Sequence, residues 1–171
     1  MALTAAQLIN HLHLEPLTFE GGLFRQTYVA QESIAKQALP ARYGAPRPFG
    51  TAIYYLLTND PNSFSALHRL LTEEIYHFYL GDPVQMLLLH PHGRGERIVL
   101  GPDILHGQHV QFVVPRGVWQ GSRLVTGGSF ALLGTTMAPG FDLRDWEEGK
   151  RDALIREYTE HAEFIRSLTR N

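Results

Sequence analysis

The central part of the sequence, residues 49–137, is a series of short apolar runs, and this pattern constrains the fold more than any other feature of the chain. The runs are rich in β-branched, aromatic and leucine residues and include GTAIYYLL, FSALHRLL, EIYHFYL, VQMLLLH, HVQFVV and SFALLGTT. Turn sequences such as TNDPN, GDP, HPHGRGE, GPD and TGG separate them. Closely spaced short strands are typical of an all-β sandwich or barrel rather than of alternating strands and helices. We therefore expect a β-barrel over about residues 20–138.

The two ends of the chain have a different pattern. Thr4 and Gln7 have the spacing of a capping box, and the apolar residues that follow lie on one helical face. This predicts a short helix over about residues 4–14. Apolar residues spaced by three and four predict an amphipathic helix over about residues 145–168. Because no linker or internal repeat interrupts the 171 residues, we expect a single all-β domain with flanking helices.

The composition excludes several classes of protein. A hydrophobic content of 44% and a charged content of 19% are those of an ordinary globular domain. The net charge of −2 is spread along the chain, which argues against a nucleic-acid partner. No apolar run is long enough to span a membrane and the N-terminus has no signal-peptide pattern, so we expect a cytoplasmic protein. The absence of cysteine excludes disulfides and thiolate zinc sites.

The stretch HRLLTEEIYHFYLGDP, which begins at His68, resembles part of a metal-binding motif. In the cupin superfamily of small β-barrels, the first motif runs His, any residue, His, three or four residues, Glu, six residues, Gly. His68, Glu74 and Gly81 fit this spacing. The position of the second histidine is Leu70.

A second segment extends the resemblance to cupins. Their second motif contains Pro, any residue, Gly, two residues and His, and PRGVWQG supplies Pro115 and Gly117 but has Gln120 at the histidine position. The motifs E-G-G-x-F-R-x-T-Y and H-R…E-x-x-H-F-Y-x-G-D-P are similar to those of an uncharacterised cupin subfamily, a domain of unknown function. The resemblance implies a cupin-type double-stranded β-helix (a jelly-roll barrel), a homodimer and a ligand pocket in the barrel. It implies no named reaction.

The residue types do not favour a tightly held metal. Side chains alternate along a strand, so His68 and Leu70 share a face, and an interior face would have lost one imidazole. Were a divalent metal bound, its ligands would be His68, Glu74 and Gln120. Iron sites use two histidines and a carboxylate, and catalytic zinc sites keep three good donors. His77 could complete such a site only if a β-bulge turned it to the face of Glu74.

Without a metal, His68 and Glu74 are candidate catalytic residues. A buried carboxylate needs a partner, and a histidine–carboxylate pair among tyrosines is suited to general acid–base catalysis. The metal-free sugar epimerases among cupins, which use a histidine base and a tyrosine acid, are similar in kind. The same residues could instead form a buried polar network that fixes strand register and has no chemical role.

We predict foremost that the barrel binds a small polar or anionic molecule. The predicted ligand-binding residues are Arg25, Tyr55, Leu70, His77, Phe78, Trp119 and Gln120. Arg25 or Arg69 would meet a carboxylate or phosphate. Two alternatives stay open: a metal-free isomerase or epimerase that uses His68, and a metal-dependent cupin enzyme with the degenerate site. If the protein is an enzyme, the pattern favours an isomerase over an oxygenase.

Overall fold

The computed structural model describes residues 3–170, in which thirteen strands and three α-helices are connected by turns. The strands are β1 (Glu15–Pro16), β2 (Leu23–Val29), β3 (Ser33–Ile34), β4 (Arg47–Pro48), β5 (Thr51–Thr58), β6 (Phe64–Leu70), β7 (Glu74–Gly81), β8 (Val84–Leu89), β9 (Gly95–Leu100), β10 (Gln111–Val114), β11 (Trp119–Leu124), β12 (Phe130–Met137) and β13 (Trp146–Glu148). The helices are α1 (Ala5–Leu12), α2 (Arg151–Glu157) and α3 (Ala162–Ser167).

Two antiparallel sheets form the body of the protein. The first sheet has the strand order β1-β2-β5-β12-β7-β10, and the second has the order β13-β6-β11-β8-β9. Strands β3 and β4 pair separately. The all-β fold with flanking helices, predicted from the sequence, is confirmed.

The main core lies between the two sheets. Tyr55 and Leu133 from the first sheet pack with Met86 and Leu88 from the second in one buried cluster. The side chains that point inward are mostly apolar, so burial of their surface stabilises the sandwich at about 25 cal/mol per Å² removed from water. The few polar side chains on this inner face therefore stand out as candidates for function.

The helices cover part of the outer face of each sheet. Leu8 of α1 packs on Leu56 and Leu132 of the first sheet, and Phe164 and Ile165 of α3 pack in the cluster that contains residues of the second sheet. This second layer explains why runs such as MLLL in β8 do not alternate between apolar and polar residues. Among residues 3–170, no helix has the length and apolar character needed to cross a lipid bilayer.

The N-terminal helix has the predicted cap, whereas the C-terminal segment differs from the prediction. The Gln7 N–H donates to Thr4 Oγ1 (3.3 Å) and the Thr4 N–H donates to Gln7 Oε1 (3.0 Å). The single helix predicted over residues 145–168 is instead strand β13 followed by two short helices, α2 and α3. Strand β13 pairs with β6, about 80 residues earlier, and pairing over that distance has no local signature in the sequence.

Candidate functional site

A cavity of about 200 Å³ opens into the space between the sheets. Its apolar wall includes Leu17, Phe19, Phe24, Leu70, Met137 and Phe141. Its ionisable side chains are Glu20, His68 and Glu74. A mostly apolar cavity with a few convergent polar groups has the usual form of a small-molecule site.

A β-bulge in β6 determines which of its side chains face this cavity. Gln120 of β11 pairs with His68, but Ser122 pairs with Ser65. Two steps along β11 therefore correspond to three steps along β6, which has one extra residue. The extra residue turns both Ser65 and His68 inward. Gly121 lies opposite the bulge, where a Cβ atom would come within 3.0 Å of the Ser65 carbonyl oxygen and the Leu67 side chain.

The backbone of the bulge also fixes the orientation of the His68 ring. Nδ1 of His68 donates to the Ala66 carbonyl oxygen at 2.8 Å. The carbonyl can only accept, so the proton lies on Nδ1 and the ring presents Nε2 to the cavity. The Ala66 N–H in turn donates to the Glu20 carbonyl oxygen at 3.0 Å, which ties the bulge to the segment that carries Glu20.

Glu20 enters the site from the turn before β2, and the glycine that follows makes this approach feasible. Gly21 has a φ of +113°, and a Cβ at this position would lie 2.2 Å from the Phe64 carbonyl oxygen. Only glycine tolerates both the backbone conformation and the close contact. The Glu20 carboxylate accepts a hydrogen bond from Ser65 Oγ at 2.6 Å, and Arg170 donates to the Glu20 carbonyl oxygen at 2.9 Å.

Three ionisable side chains meet in the site, and we call them the Glu20–His68–Glu74 cluster. Nε2 of His68 lies 3.8 Å from Glu20 Oε2 and 3.9 Å from Glu74 Oε2. The His68 side chain is 1% exposed, and those of Glu20 and Glu74 are 13% and 10% exposed. Gln120 Nε2 donates to Glu74 Oε2 at 2.8 Å.

The cluster keeps His68 protonated at neutral pH. Burial alone lowers the pKa of His68, but the nearby charges of Glu20 and Glu74 and the Ala66 carbonyl outweigh it and raise the pKa to about 9. Burial raises the pKa of Glu20, and the like charge of Glu74 adds to this increase while the charge of His68 opposes it. Two acids thus share one imidazolium.

Two buried tyrosines adjoin the cluster. Burial raises the pKa of Tyr55 and of Tyr76 well above the usual value, and the charges of Glu20 and Glu74 add to both increases. The Tyr55 hydroxyl donates to the Gly21 carbonyl oxygen at 3.0 Å. Both phenols therefore stay neutral at physiological pH.

Of the predicted ligand-binding residues, four lie at the cavity or in the core beside it, and three lie on the outside of the barrel. Leu70 lines the cavity and Gln120 contacts Glu74, while Tyr55 and Phe78 belong to the core between the sheets. Leu70 and His68 share the inner face, as strand alternation requires.

Arg25, His77 and Trp119 lie away from the cavity. Arg25 is exposed and donates to the Leu12 carbonyl oxygen at 3.1 Å. The Trp119 ring lies under the guanidinium of Arg69, 4.4 Å from its centroid, and packs with the helix-covered outer core of the second sheet. Trp119 neighbours the inward-facing Gln120, so alternation turns it outward.

His77 is on the outer face of the first sheet. Its Nε2 hydrogen-bonds to Thr136 Oγ1 at 3.1 Å, and its ring stacks on Tyr79. The register of β7 against β12 does shift, but between Phe78 and Leu80, beyond His77. This bulge therefore leaves His77 on the face opposite Glu74, and His77 cannot join a site with Glu74.

Glu20 and Ser65 are the members of the site that the sequence reasoning missed. Glu20 lies outside the first and second cupin motifs, although it opens the subfamily motif E-G-G-x-F-R-x-T-Y, and its position depends on contacts with the distant Ser65 and Ala66. The Glu-Gly-Gly sequence was the available signal, since consecutive glycines after an acid indicate a close backbone approach.

The residues of the cluster do not form a metal site as they are arranged. Within residues 3–170, no group of three or more His, Cys, Asp or Glu side chains could hold a metal ion. The donor set has one imidazole, and its Nε2 makes ion-pair contacts with the two carboxylates. Leu70 supplies no donor at the position where cupins carry a second histidine.

A family model described as "Cupin superfamily (DUF985)" matches residues 6–148. The chain belongs to the cupin superfamily. The jelly-roll arrangement of two antiparallel sheets is therefore that of a cupin barrel. The function shared by this family is uncharacterised.

Individual relatives agree with this assignment. This chain is 30% identical over 148 residues to the uncharacterized protein YML079W of Saccharomyces cerevisiae. The matched residues cover 81% of this chain and 69% of the yeast protein. The crystal structure of protein SO0799 from Shewanella oneidensis is similar with a TM-score of 0.84 and 30% identity, over 99% of each chain. A hypothetical protein from Leishmania major has a TM-score of 0.85 and 27% identity, over 99% of this chain and all of the other.

Proposed function

We propose that this cupin binds a small polar molecule, uncharged or positively charged, in the barrel cavity. The single observation that carries the proposal is the composition of the Glu20–His68–Glu74 cluster, in which two carboxylates face one imidazole. Within residues 3–170, no lysine or arginine lines this cavity. A ligand that presents N–H or O–H donors to the carboxylates would complete the pairing of these buried charges.

The size and walls of the cavity support a compact ligand. A volume of about 200 Å³ equals roughly seven water molecules at about 30 Å³ each, and it is below the range of about 300–1,000 Å³ for drug-sized ligands. Phe19, Phe24 and Phe141 give the apolar part of the ligand an aromatic wall.

The geometry gives less support to the anionic ligand predicted from the arginines. Arg25 is bound to Leu12 on the outside, and Arg69 is paired with Glu147 at 2.8 Å. An anion in the cavity would meet two carboxylates, and among residues 3–170 His68 is the one positively charged side chain of the lining, so repulsion opposes its binding. We therefore retain the polar ligand and place the anion second.

Thermal-shift and NMR titrations would test the proposal with a defined panel of small polyols, amino alcohols and organic acids. We expect neutral or cationic compounds to stabilise the wild type and to lose this effect in Glu20→Gln. The matched control is Glu147→Gln, because Glu147 is an acid on the outer surface whose side chain is 56% exposed. Binding that is confined to organic acids, or that is equal in Glu20→Gln and wild type, would overturn the proposal.

A second candidate function is acid–base catalysis on the bound molecule, as in an isomerase or epimerase. The observation in its favour is the protonated state of His68, whose pKa is raised to about 9 by the acids around it. His68 would then donate a proton, and Glu20 would accept one, which reverses the role of base predicted for His68. One proton leaves the substrate and one returns, so the reaction needs no redox partner. Uptake of solvent deuterium into a bound compound, lost in His68→Asn, would support this function.

The remaining expectations about partners and cofactors belong to the same proposal. A homodimer is supported by exposed apolar side chains next to edge strand β10, among them Ile104, Leu105 and Val113. Sedimentation of wild type and Leu105→Asp would test it.

The absence of a tight metal stays a prediction, which elemental mass spectrometry on untagged protein would check. The cytoplasmic location also stays a prediction.

A further inference from the structure

A second concave site lies outside the barrel, on the outer face of the second sheet. It is a groove of about 580 Å³, bounded by the turn at residues 58–63, the turn at residues 124–128 and helix α3. This volume is nearly three times that of the barrel cavity and lies within the range of about 300–1,000 Å³ that is common for small-molecule sites. We call it the outer groove.

Two arginines flank one strand on the floor of the outer groove. Arg123 of β11 pairs with Gln85 of β8, and Arg97 of β9 pairs with Leu87 of the same strand β8. Gln85 and Leu87 are two residues apart and thus share one face of the sheet. The arginines approach this face from the two sides of β8. Two strand spacings of about 4.8 Å across the sheet and two residues of about 3.3 Å each along it place their backbones about 12 Å apart.

Neither arginine has an acidic partner. Within residues 3–170, no carboxylate oxygen lies within 4.0 Å of a nitrogen of Arg97 or Arg123, as it does for Arg47 and Arg69. The guanidinium of Arg97 lies over the Phe164 ring, 5.1 Å from its centroid. Arg123 makes one long contact of 3.5 Å, from NH1 to the Ser167 carbonyl oxygen. Most of the N–H donors of both groups are therefore available to a ligand.

The acids at the rim of the groove do not neutralise these charges. Asp60 uses Oδ1 to accept the Asn62 N–H at 2.8 Å, which closes its own turn. Glu163 is exposed at the start of α3 and makes no ion pair within the described part of the chain. Asn59, Ser63 and Thr126 add neutral polar groups to the walls.

We propose that the outer groove binds the phosphate groups of a small phosphorylated molecule, with Arg97 and Arg123 as its anchors. Guanidinium groups bind phosphate through two parallel N–H···O bonds, and packing on Phe164 restricts the motion of Arg97 before the ligand arrives. The two guanidiniums can reach oxygens at both ends of a diphosphate, while the rest of the groove holds the organic part. This site is separate from the barrel cavity, and it uses none of the residues of the Glu20–His68–Glu74 cluster.

Isothermal titration of the full chain with pyrophosphate, at a fixed ionic strength, tests the proposal. We expect binding that weakens about tenfold or more in Arg97→Gln and in Arg123→Gln, because each loses charge-assisted hydrogen bonds. The matched control is Arg116→Gln, an exposed arginine in the turn before β11 that lies outside the groove. This variant should bind pyrophosphate as the wild type does.

The variant Glu163→Gln gives a result of the opposite sign. It removes one of the two negative charges at the rim and leaves the arginines unchanged, and we expect it to bind pyrophosphate a few times more tightly than the wild type. Backbone NMR shifts would localise the effect to residues 58–63 and 124–128. The proposal is overturned if the wild type does not bind pyrophosphate, or if Arg97→Gln and Arg123→Gln weaken binding no more than Arg116→Gln does.

Discussion

The buried pair Arg47–Asp145 and the buried Glu20–His68–Glu74 cluster differ in how completely their charges are matched. Nε of Arg47 donates to Asp145 Oδ2 at 2.8 Å, and NH2 donates to the other carboxylate oxygen. NH1 of Arg47 donates to the carbonyl oxygens of Ala45 and Pro46, each at 2.9 Å. NH1 also lies 3.6 Å from Oδ2 of Asp142, which is itself paired with Arg144. The two arginines and the two aspartates therefore balance in charge, and the donors of Arg47 are used.

The cluster in the barrel lacks this balance. His68 lies between two acids at 3.8 and 3.9 Å, so its contacts are long and two carboxylates face one imidazolium. Its neighbours also include a buried acceptor, Gln120 Oε1, without a hydrogen-bond partner in residues 3–170. A fully matched pair stabilises the fold and has little left to offer a ligand, whereas an incompletely matched group keeps binding capacity. The contrast supports a structural role for Arg47–Asp145 and a binding role for the cluster.

The largest effect should follow from breaking the matched pair. Asp145→Ala removes both short hydrogen bonds of the buried Arg47 guanidinium and leaves it the longer contact with Asp142, 3.6 Å from NH1, which Asp142 shares with Arg144. We expect the free energy of unfolding to fall by about 3–5 kcal/mol. Urea denaturation at pH 7 measures this change. A loss below about 1 kcal/mol would show that Arg47 finds another partner, and the role assigned to the pair would be wrong.

An intermediate effect should appear in the pH dependence of stability. Because the pKa of His68 is raised to about 9 in the folded protein, its stabilising contribution is complete below its usual value of 6.5 and is lost as the pH rises through about 9. We expect wild type to lose about 3 kcal/mol over this range. The pKa of Glu20 is also raised, so the contribution of Glu20 to stability is likewise lost as the pH rises, beginning at a lower pH than that of His68.

Denaturant titrations of wild type and His68→Asn at several pH values between 6 and 9.5 measure this dependence. The variant should show a flatter curve. His106→Asn is the control, since the His106 side chain is 81% exposed and pairs only with Asp103 of its own turn. Parallel curves for wild type and His68→Asn would mean that the cluster does not hold the extra proton.

The smallest effect should come from the surface pair Arg69–Glu147. Its geometry is bidentate like that of Arg47–Asp145, with Nε and NH2 donating to the two carboxylate oxygens at 2.8 and 2.9 Å. The side chains are, however, 41% and 56% exposed. We expect Glu147→Ala to cost about 0–1 kcal/mol in the same urea assay. A cost near that of Asp145→Ala would mean that geometry outweighs burial in this protein.

The sequence predicted the fold class well because its signals are local. Short apolar runs separated by turn residues predict strands, and the capping box at Thr4 predicts α1. It predicted the C-terminal segment less well, because helical periodicity over residues 145–168 conceals strand β13 and the break between α2 and α3. Apolar spacing reports which residues are buried but does not report where a helix must bend to follow the sheet.

For the candidate site, the sequence by itself determined that His68 and Leu70 share one face of their strand, because side chains alternate along strands. Only the tertiary structure decided the rest. It brought Glu20 to His68 through the close packing of Gly21 on Phe64, and it turned Ser65 inward by a bulge. It also left Arg25 and Trp119 outside. These positions depend on contacts between distant segments, and the balance of charge at a buried site is set by those contacts rather than by neighbours in the chain.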